Sequence, residues 1–218
     1  MSKLRFSISM SLDGYMAGPN QSREDPLGEG GEDLHRWVFG LRAWREEHGL
    51  EGGGGDAVDE RFAEAWSTDT GAFIMGRNMF GPVRGSWDSA PAWNGWWGDD
   101  PPYHTPVFVL THHAREPVEM EGGTTFHFVT DGIHAALERA RDAAGARDVK
   151  IGGGVSTVRQ YLQAGLIDEL HFALSPVLLG RGEAMFEGLD LPALGYRVME
   201  STATDLATHV VLGREESE

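Results

Sequence analysis

The sequence predicts an α/β fold in three layers, α/β/α: a mostly parallel central sheet with helices on both faces and an antiparallel edge on its C-terminal side. Three observations predict it. Short apolar runs alternate with segments of helical period as far as about residue 165. Strands then follow one another with little helix between them. Finally, polar or glycine-rich clusters begin where several apolar runs stop, as they do at the strand ends of such sheets.

Leu4–Met10 opens the chain as a strand, with Leu4, Phe6, Ile8 and Met10 alternating with polar residues. Asp13–Gly14 and Gly18–Pro19 are turn signals. Asp33–Arg45 has helical spacing, with Leu34, Trp37, Val38 and Leu41 on one side. Gly52–Gly55 reads as a surface loop. Asp56–Trp66 is again helical, with Val58, Phe62 and Ala65 facing inward. Gly71–Met75 and Val107–Leu110 are buried strands, separated by a Gly-, Pro- and Trp-rich stretch over 82–105 without a clean period. Thr125–Val129 is a strand, followed by a helix from Gly132 to about Ala144, which Thr130 or Asp131 is placed to cap. Val149–Ile151 runs into Gly152–Gly153–Gly154, and a helix follows with Val155, Val158, Tyr161 and Leu162 at helical spacing, ending near Gly165. Ile167–Leu174 is a strand, and Tyr196–Val198 with Leu206–Leu212 suggests a terminal hairpin. There is neither an internal repeat nor a linker, so residues 1–218 read as one domain.

The 218 residues are 40% apolar, enough for a substantial core, and carry a formal charge of −16. That balance disfavours nucleic acid, because an acidic surface repels phosphate backbone; a local pocket of converging arginines stays compatible with a dinucleotide. The chain has no cysteine, which excludes disulfides, thiolate metal sites and a cysteine nucleophile. The first residues become polar too quickly for a signal peptide, and no stretch has the length of a membrane span. The expectation is a cytoplasmic protein without nucleic-acid or membrane partners.

The chemistry-bearing candidates lie at strand ends. Gly152, Gly153 and Gly154, followed by Val155 and Ser156, suit a polyanion, because bare backbone and free N–H groups meet there at the positive end of a helix; equally, they suit a tight turn. The pattern is neither a Walker A loop nor a dinucleotide fingerprint. Ser156 and Thr157 add hydroxyls or cap the helix. Gly76, Arg77 and Asn78 follow another apolar run, where a guanidinium fork suits phosphate or forms a surface ion pair. Thr111 and His112, with His113, follow a third; extended neighbours point apart, which disfavours a metal site there. Asp13 either serves a substrate or bonds its own turn, while Ala17 and Gly18 leave room for a flat ring. Trp87, Trp93, Trp96 and Trp97 form a lid, an interface or a satellite core. No paired-carboxylate site or Ser/His/Asp set is present.

These segments in series resemble the dihydrofolate reductase-like superfamily, and more specifically the C-terminal reductase domain of the bifunctional riboflavin-biosynthesis deaminase/reductase and its stand-alone relatives. The resemblance is carried by Ser11–Leu12–Asp13–Gly14–Tyr15–Met16–Ala17–Gly18, Ile74–Met75–Gly76–Arg77–Asn78–Met79, Val107–Phe108–Val109–Leu110–Thr111–His112, Ile151–Gly152–Gly153–Gly154, and Leu166–Leu170 with Pro176–Gly182. It implies NADPH as cofactor, with FMN or FAD as the lesser alternative, and hydride transfer to a small planar heterocycle or other unsaturated substrate. Arg77 and the Thr111–His112 turn would lie near the 2′-phosphate, Gly153, Gly154, Val155 and Ser156 along the pyrophosphate, and Ala17 and Gly18 near the nicotinamide. Asp13 would be structural or close to the substrate. Asp33 is the candidate for the acidic residue of dihydrofolate reductases, and a proton would come from water, Asp13 or Asp33. The family often forms homodimers. The alternative is a dimeric protein on the same fold that binds a dinucleotide or flavin without catalysis.

Overall fold

Among the described residues, nine strands and five α-helices follow in the order β1 Leu4–Ser11, α1 Arg42–Glu47, α2 Ala57–Glu64, β2 Thr70–Gly76, α3 Arg77–Phe80, β3 Pro106–Leu110, β4 Val118–Glu119, β5 Thr125–Val129, α4 Gly132–Ala144, β6 Asp148–Gly153, α5 Val155–Gln163, β7 Glu169–Ser175, β8 Tyr196–Ala203 and β9 Thr208–Arg214. This structure, a computed structural model, describes residues 2–66, 68–81, 85–89 and 93–214. The fold is α/β in three layers, its sheet mixed and mostly parallel with antiparallel edge strands. The chain divides into two compact units: Met1–Arg5 with Asp69–Leu166, and Phe6–Thr68 with Ile167–Glu218.

In the first unit β5, β3, β2 and β6 lie side by side in parallel, and the two-residue β4 pairs antiparallel with β5. The fully apolar stretches of β2 and β3 suit strands buried on both faces. α4 packs on β2, β3 and β6 through Ala136, Leu137, Ala140 and Ala144. Alternate residues Met75, Val107, Val109 and Phe126 pack with Phe80 and Trp87, and Trp93, Trp97 and Tyr103 close over them. Three of the four clustered tryptophans therefore build a satellite core in this unit; positions 82–84 and 90–92 of the same stretch lie outside the described residues.

The second unit orders β1, β7, β9 and β8, with β9 antiparallel to both of its neighbours, so the expected terminal hairpin is present. Its core gathers Trp37, Val38, Leu41, Phe62, Ala63, Ala173 and Ala207. A buried polar chain threads it. Trp66 Nε1 donates to His171 Nδ1 (3.2 Å), His171 Nε2 meets His209 Nδ1 (2.9 Å), and His209 Nε2 meets Asp59 Oδ1 (2.7 Å). An indole only donates, so each link fixes the next: both imidazoles are neutral with the proton on Nε2, and Asp59 is the terminal acceptor. Phe62 stacks on both rings at 4.4 and 4.2 Å.

Several local expectations need correction. The helix expected over Asp33–Arg45 is instead a 3₁₀ turn, Gly31–His35, followed by turns and the short α1, although Leu34, Trp37, Val38 and Leu41 are all buried as the spacing required. Gly40 interrupts this stretch and weakens a regular helix there. In α2 the buried residues are Asp59, Phe62 and Ala63; Val58, half-buried, packs against the same core as its spacing required, and Ala65, just past the helix, is half-buried. Neither Thr130 nor Asp131 caps α4 with its side chain; the Asp131 carboxylate instead accepts from Arg139 Nη2 at 2.8 Å. α5 likewise starts at Gly154 without a side-chain cap, which removes the capping role considered for Ser156 and Thr157. The two-residue β4 was too short to register as a period.

Candidate functional site

In the first unit the parallel register sets Gly76 opposite Leu110 and Met75 opposite Gly153. The carboxyl ends of β3, β2 and β6 therefore lie in one row, and with them Thr111, Gly76–Arg77 and Gly153–Gly154. Open α/β sheets bind ligands outside such strand ends. The helix α5 begins there. Its first intrahelical bonds are those of Thr157 and Val158 N–H to Gly154 O, both 3.1 Å, which leaves the Val155 and Ser156 amides at the positive end of the helix.

The glycines of this row differ in what they do. A Cβ on Gly154 would meet nothing within 4 Å, so open space lies before the helix. Gly153 has φ +121°, a conformation that side chains strain; the Gly153–Gly154 peptide is cis. At Gly152 a Cβ would make only ordinary contacts from 3.8 Å. Gly76 is different: a Cβ there would lie 2.3 Å from Thr157 Oγ1, so this glycine lets α5 approach β2.

Arg77 opens α3 with both terminal guanidinium nitrogens buried and its central carbon 3.0 Å from the centre of the Trp87 ring. Asn78 is exposed. Thr111 is buried, with its hydroxyl accepting from His113 N–H at 3.2 Å, while His112 is exposed. Trp87 Nε1 donates to His113 O at 2.8 Å, which ties the indole to the end of β3. Arg115, which sequence reasoning passed over, reaches the same ring: its guanidinium carbon is 4.8 Å from the Trp87 ring centre and 5.1 Å from that of Phe128. The only signal for it was a second arginine shortly after a strand-end Thr-His pair.

The second unit holds the other candidates. Asp13 accepts from Leu179 N–H (3.1 Å) and Gly180 N–H (2.6 Å), clipping the 176–182 loop to the turn after β1. The Ser11 hydroxyl, ahead of these two amides, holds its carboxyl below the usual carboxylate range. Asp13 is thus an ionised acceptor in use. Asp33 lies within the 3₁₀ turn rather than at the start of a long helix, and pairs with Arg36 Nη2 at 2.5 Å. Ala17 is buried, its carbonyl accepting from Glu183 N–H at 3.0 Å. The space at Gly18 is filled by the chain itself, because a Cβ there would lie 2.0 Å from Glu29 O. On the side where a side chain would point, Gly18 serves the folding of its own loop.

The model of the RibD C-terminal domain family matches residues 2–211. The chain belongs to that family. Among solved structures, this RibD C-terminal domain is similar to a putative riboflavin biosynthesis protein from Shewanella sp. PV-4, with 22% identity, a TM-score of 0.59 and coverage of 99% of this chain and 100% of that one. It is also similar to a dihydrofolate reductase from Enterococcus faecalis complexed with NADP(H) and RAB-propyl, with 13% identity, a TM-score of 0.54 and coverage of 98% and 97%. At these identities the likeness is one of fold. An uncharacterized protein of Bacillus subtilis (strain 168), YyaP, is 24% identical over 119 residues, 51% of this chain and 63% of that protein, so the match spans less than two thirds of this relative's length. Among the described residues no helix of this RibD C-terminal domain is long and apolar enough to cross a membrane, and no group of three or more His, Asp or Glu is placed to hold a metal ion.

Proposed function

We propose that this RibD C-terminal domain is an NADPH-dependent reductase acting on a small planar heterocycle or other unsaturated compound. The observation that carries the reading is the row formed by Gly76–Arg77, Thr111 and Gly153–Gly154 at the ends of three adjacent parallel strands, with the α5 amides opening beside it. Its donor set fits a phosphorylated dinucleotide. Val155 and Ser156 N–H supply uncharged donors along a pyrophosphate, the open space at Gly154 admits its oxygens, and Arg77 supplies fixed positive charge for a 2′-phosphate. NADPH, when bound, supplies the hydride; the protein orients donor and acceptor. Asp13 and Asp33 are each engaged with a partner, so we assign the proton to water rather than to either carboxylate.

That engagement also favours a second reading, a protein that binds the dinucleotide without turning over a substrate. Calorimetric titration with NADPH and NADH tests the shared part: binding with a preference for NADPH is expected, and absence of binding for both overturns the cofactor assignment. A reductase screen following NADPH absorbance separates the two readings. A yellow purified protein would replace both with the flavin alternative.

A further inference from the structure

Trp66, His171, His209 and Asp59 form a chain of donors and acceptors inside the second unit that the dinucleotide site does not use. Asp59, His171 and His209 are buried and Trp66 is half-buried. The direction of the chain is set from both ends, because the indole only donates and the carboxylate accepts. Each imidazole accepts at Nδ1 and donates at Nε2. Neither ring therefore keeps a nitrogen to which a further proton can add without displacing a donor.

A chain without slack gives way at one place. A proton arriving at His171 Nδ1 must displace the Trp66 indole, whose link, at 3.2 Å, is the longest of the three and whose side chain is the least buried of the four. His171 then passes its Nε2 proton across the 2.9 Å link to His209 Nδ1, and is neutral again with its proton on Nδ1. The charge rests on His209, 2.7 Å from Asp59, where an imidazolium–carboxylate pair offsets the cost of burying it. Opening at the other end instead would leave a buried carboxylate unpaired.

The surroundings of the rings are compatible with that charge. Asp59 and Arg61 face them from α2 and Glu200 from β8. Arg61, 4.2 Å from the centre of the Phe62 ring, is paired with Glu200, which tempers its repulsion of an imidazolium. β7 and β9 bring the histidines themselves, and residues 37–41 bring Trp37, Val38 and Leu41. Phe62 offers a ring face to His209 at 4.2 Å. Burial holds the pKa of His209 below the ordinary histidine value, and the Asp59 hydrogen bond works against that lowering.

We propose that this chain is a proton-operated latch: uptake of one proton reverses the His171–His209 link and releases the Trp66 indole, freeing the segment after α2 from β7. The inference does not depend on the cofactor reading.

The test is side-chain ¹⁵N–¹H correlation spectroscopy of the histidines from pH 7.5 to 5, with the Trp66 indole Nε1–H followed in the same samples. At pH 7.5 both rings are expected as Nε2–H tautomers. On acidification His209 should become an imidazolium, His171 should change to the Nδ1–H tautomer, and protection of the indole proton from exchange should fall about tenfold, all with one midpoint below about 6.5. Trp66→Phe, which keeps an aromatic ring against Trp37 and removes the opposing donor, should raise that midpoint by about one pH unit. Asp59→Asn removes the counter-charge and should lower it by about one unit or more. Separate midpoints for the two rings overturn the latch. So does an indole proton unchanged through the titration, as protonation of Asp59 alone would give, and so do rings that stay neutral until the protein unfolds. An equal midpoint in wild type and Trp66→Phe has the same consequence. Should Asp59→Asn not fold, the wild-type and Trp66→Phe titrations decide.

Discussion

Replacing Gly76 by alanine separates the packing role of a strand-end glycine from a ligand role. The backbone at Gly76 is extended, φ −81° and ψ 161°, which alanine adopts freely. On that ground alone the substitution would stabilise by about 0.4–1 kcal/mol, through the narrower unfolded ensemble. Against it stands the added methyl, 2.3 Å from Thr157 Oγ1. Thr157 is buried and β-branched, so it has little rotameric freedom with which to yield, and β2 or α5 must shift by about 1 Å. Overpacking of this kind costs about 1–3 kcal/mol. The expected net effect is destabilisation by about 1–2 kcal/mol, or a Tm lower by about 2–8 °C for a chain of this size. Thr157→Ala removes the clashing atom, and the next neighbours of the new methyl are then at 3.5 and 3.6 Å, ordinary contacts. The double variant should be no less stable than Thr157→Ala alone, giving a coupling of about 1–3 kcal/mol in a urea-unfolding cycle. It should also keep the wild-type affinity for NADPH. Additive effects, or a Gly76→Ala protein as stable as wild type, would refute the close-approach argument.

Other perturbations read other parts of the molecule. Asp59→Ala leaves His209 Nε2–H buried without its acceptor and should destabilise by about 3 kcal/mol in urea unfolding, whereas Asp59→Asn, which keeps an acceptor oxygen, should cost less. Burial foremost lowers the pKa of His209, and also those of His35 and His127. The unfolded chain therefore takes up protons first as pH falls. Stability should be full above about 6.5, the unfolded histidine value, and decline below it, by at most about 1.4 kcal/mol per pH unit for each proton; unfolding midpoints from pH 7.5 to 5 check this, and a flat profile contradicts it. The Asp13 clip has the opposite kind of group: its lowered pKa means that the stability it adds is present above about 3.9 and is lost only as pH falls through the still lower folded value. Hydrogen exchange at Gly180 N–H should accordingly stay slow at pH 4 and become fast in Asp13→Ala. We further infer that residues 1–218 unfold as a single domain, so that calorimetric and van't Hoff enthalpies agree; two resolved transitions would overturn this.

The regular parts of the fold were legible because burial on a sheet or helix imposes a period. β5 and α4 have the bounds that the pattern of Thr125–Val129 and Gly132–Ala144 required, and the terminal hairpin followed from two apolar runs. The Leu34–Leu41 segment shows what a period leaves out. Its four apolar residues are buried, yet the backbone reaches that burial through a 3₁₀ turn and successive bends, which at this length present the same residues inward as a helix would. The tryptophans of 82–105 were ambiguous because an aromatic side chain fills a core, a lid or an interface equally well; only the neighbours Phe80 and Phe126 decide.

The candidate site shows the same limit more sharply. A glycine in sequence records that a side chain is unwelcome and says nothing about what excludes it. Gly76 yields to a helix of its own unit, Gly18 to the carbonyl of Glu29, Gly153 to its own φ, and of the family only Gly154 faces open space. The glycine that most plainly leaves room for a ligand is therefore the one with no structural neighbour. Charge obeys a parallel rule. Arg77 was visible as a cation at a strand end, but its seat on the Trp87 ring was not, because that tryptophan was read as lid, interface or core. The proposed cofactor row rests on such relations: the open space at Gly154, the α5 N-terminus and Arg77 come together only through the β2–β6 register, which no single segment contains.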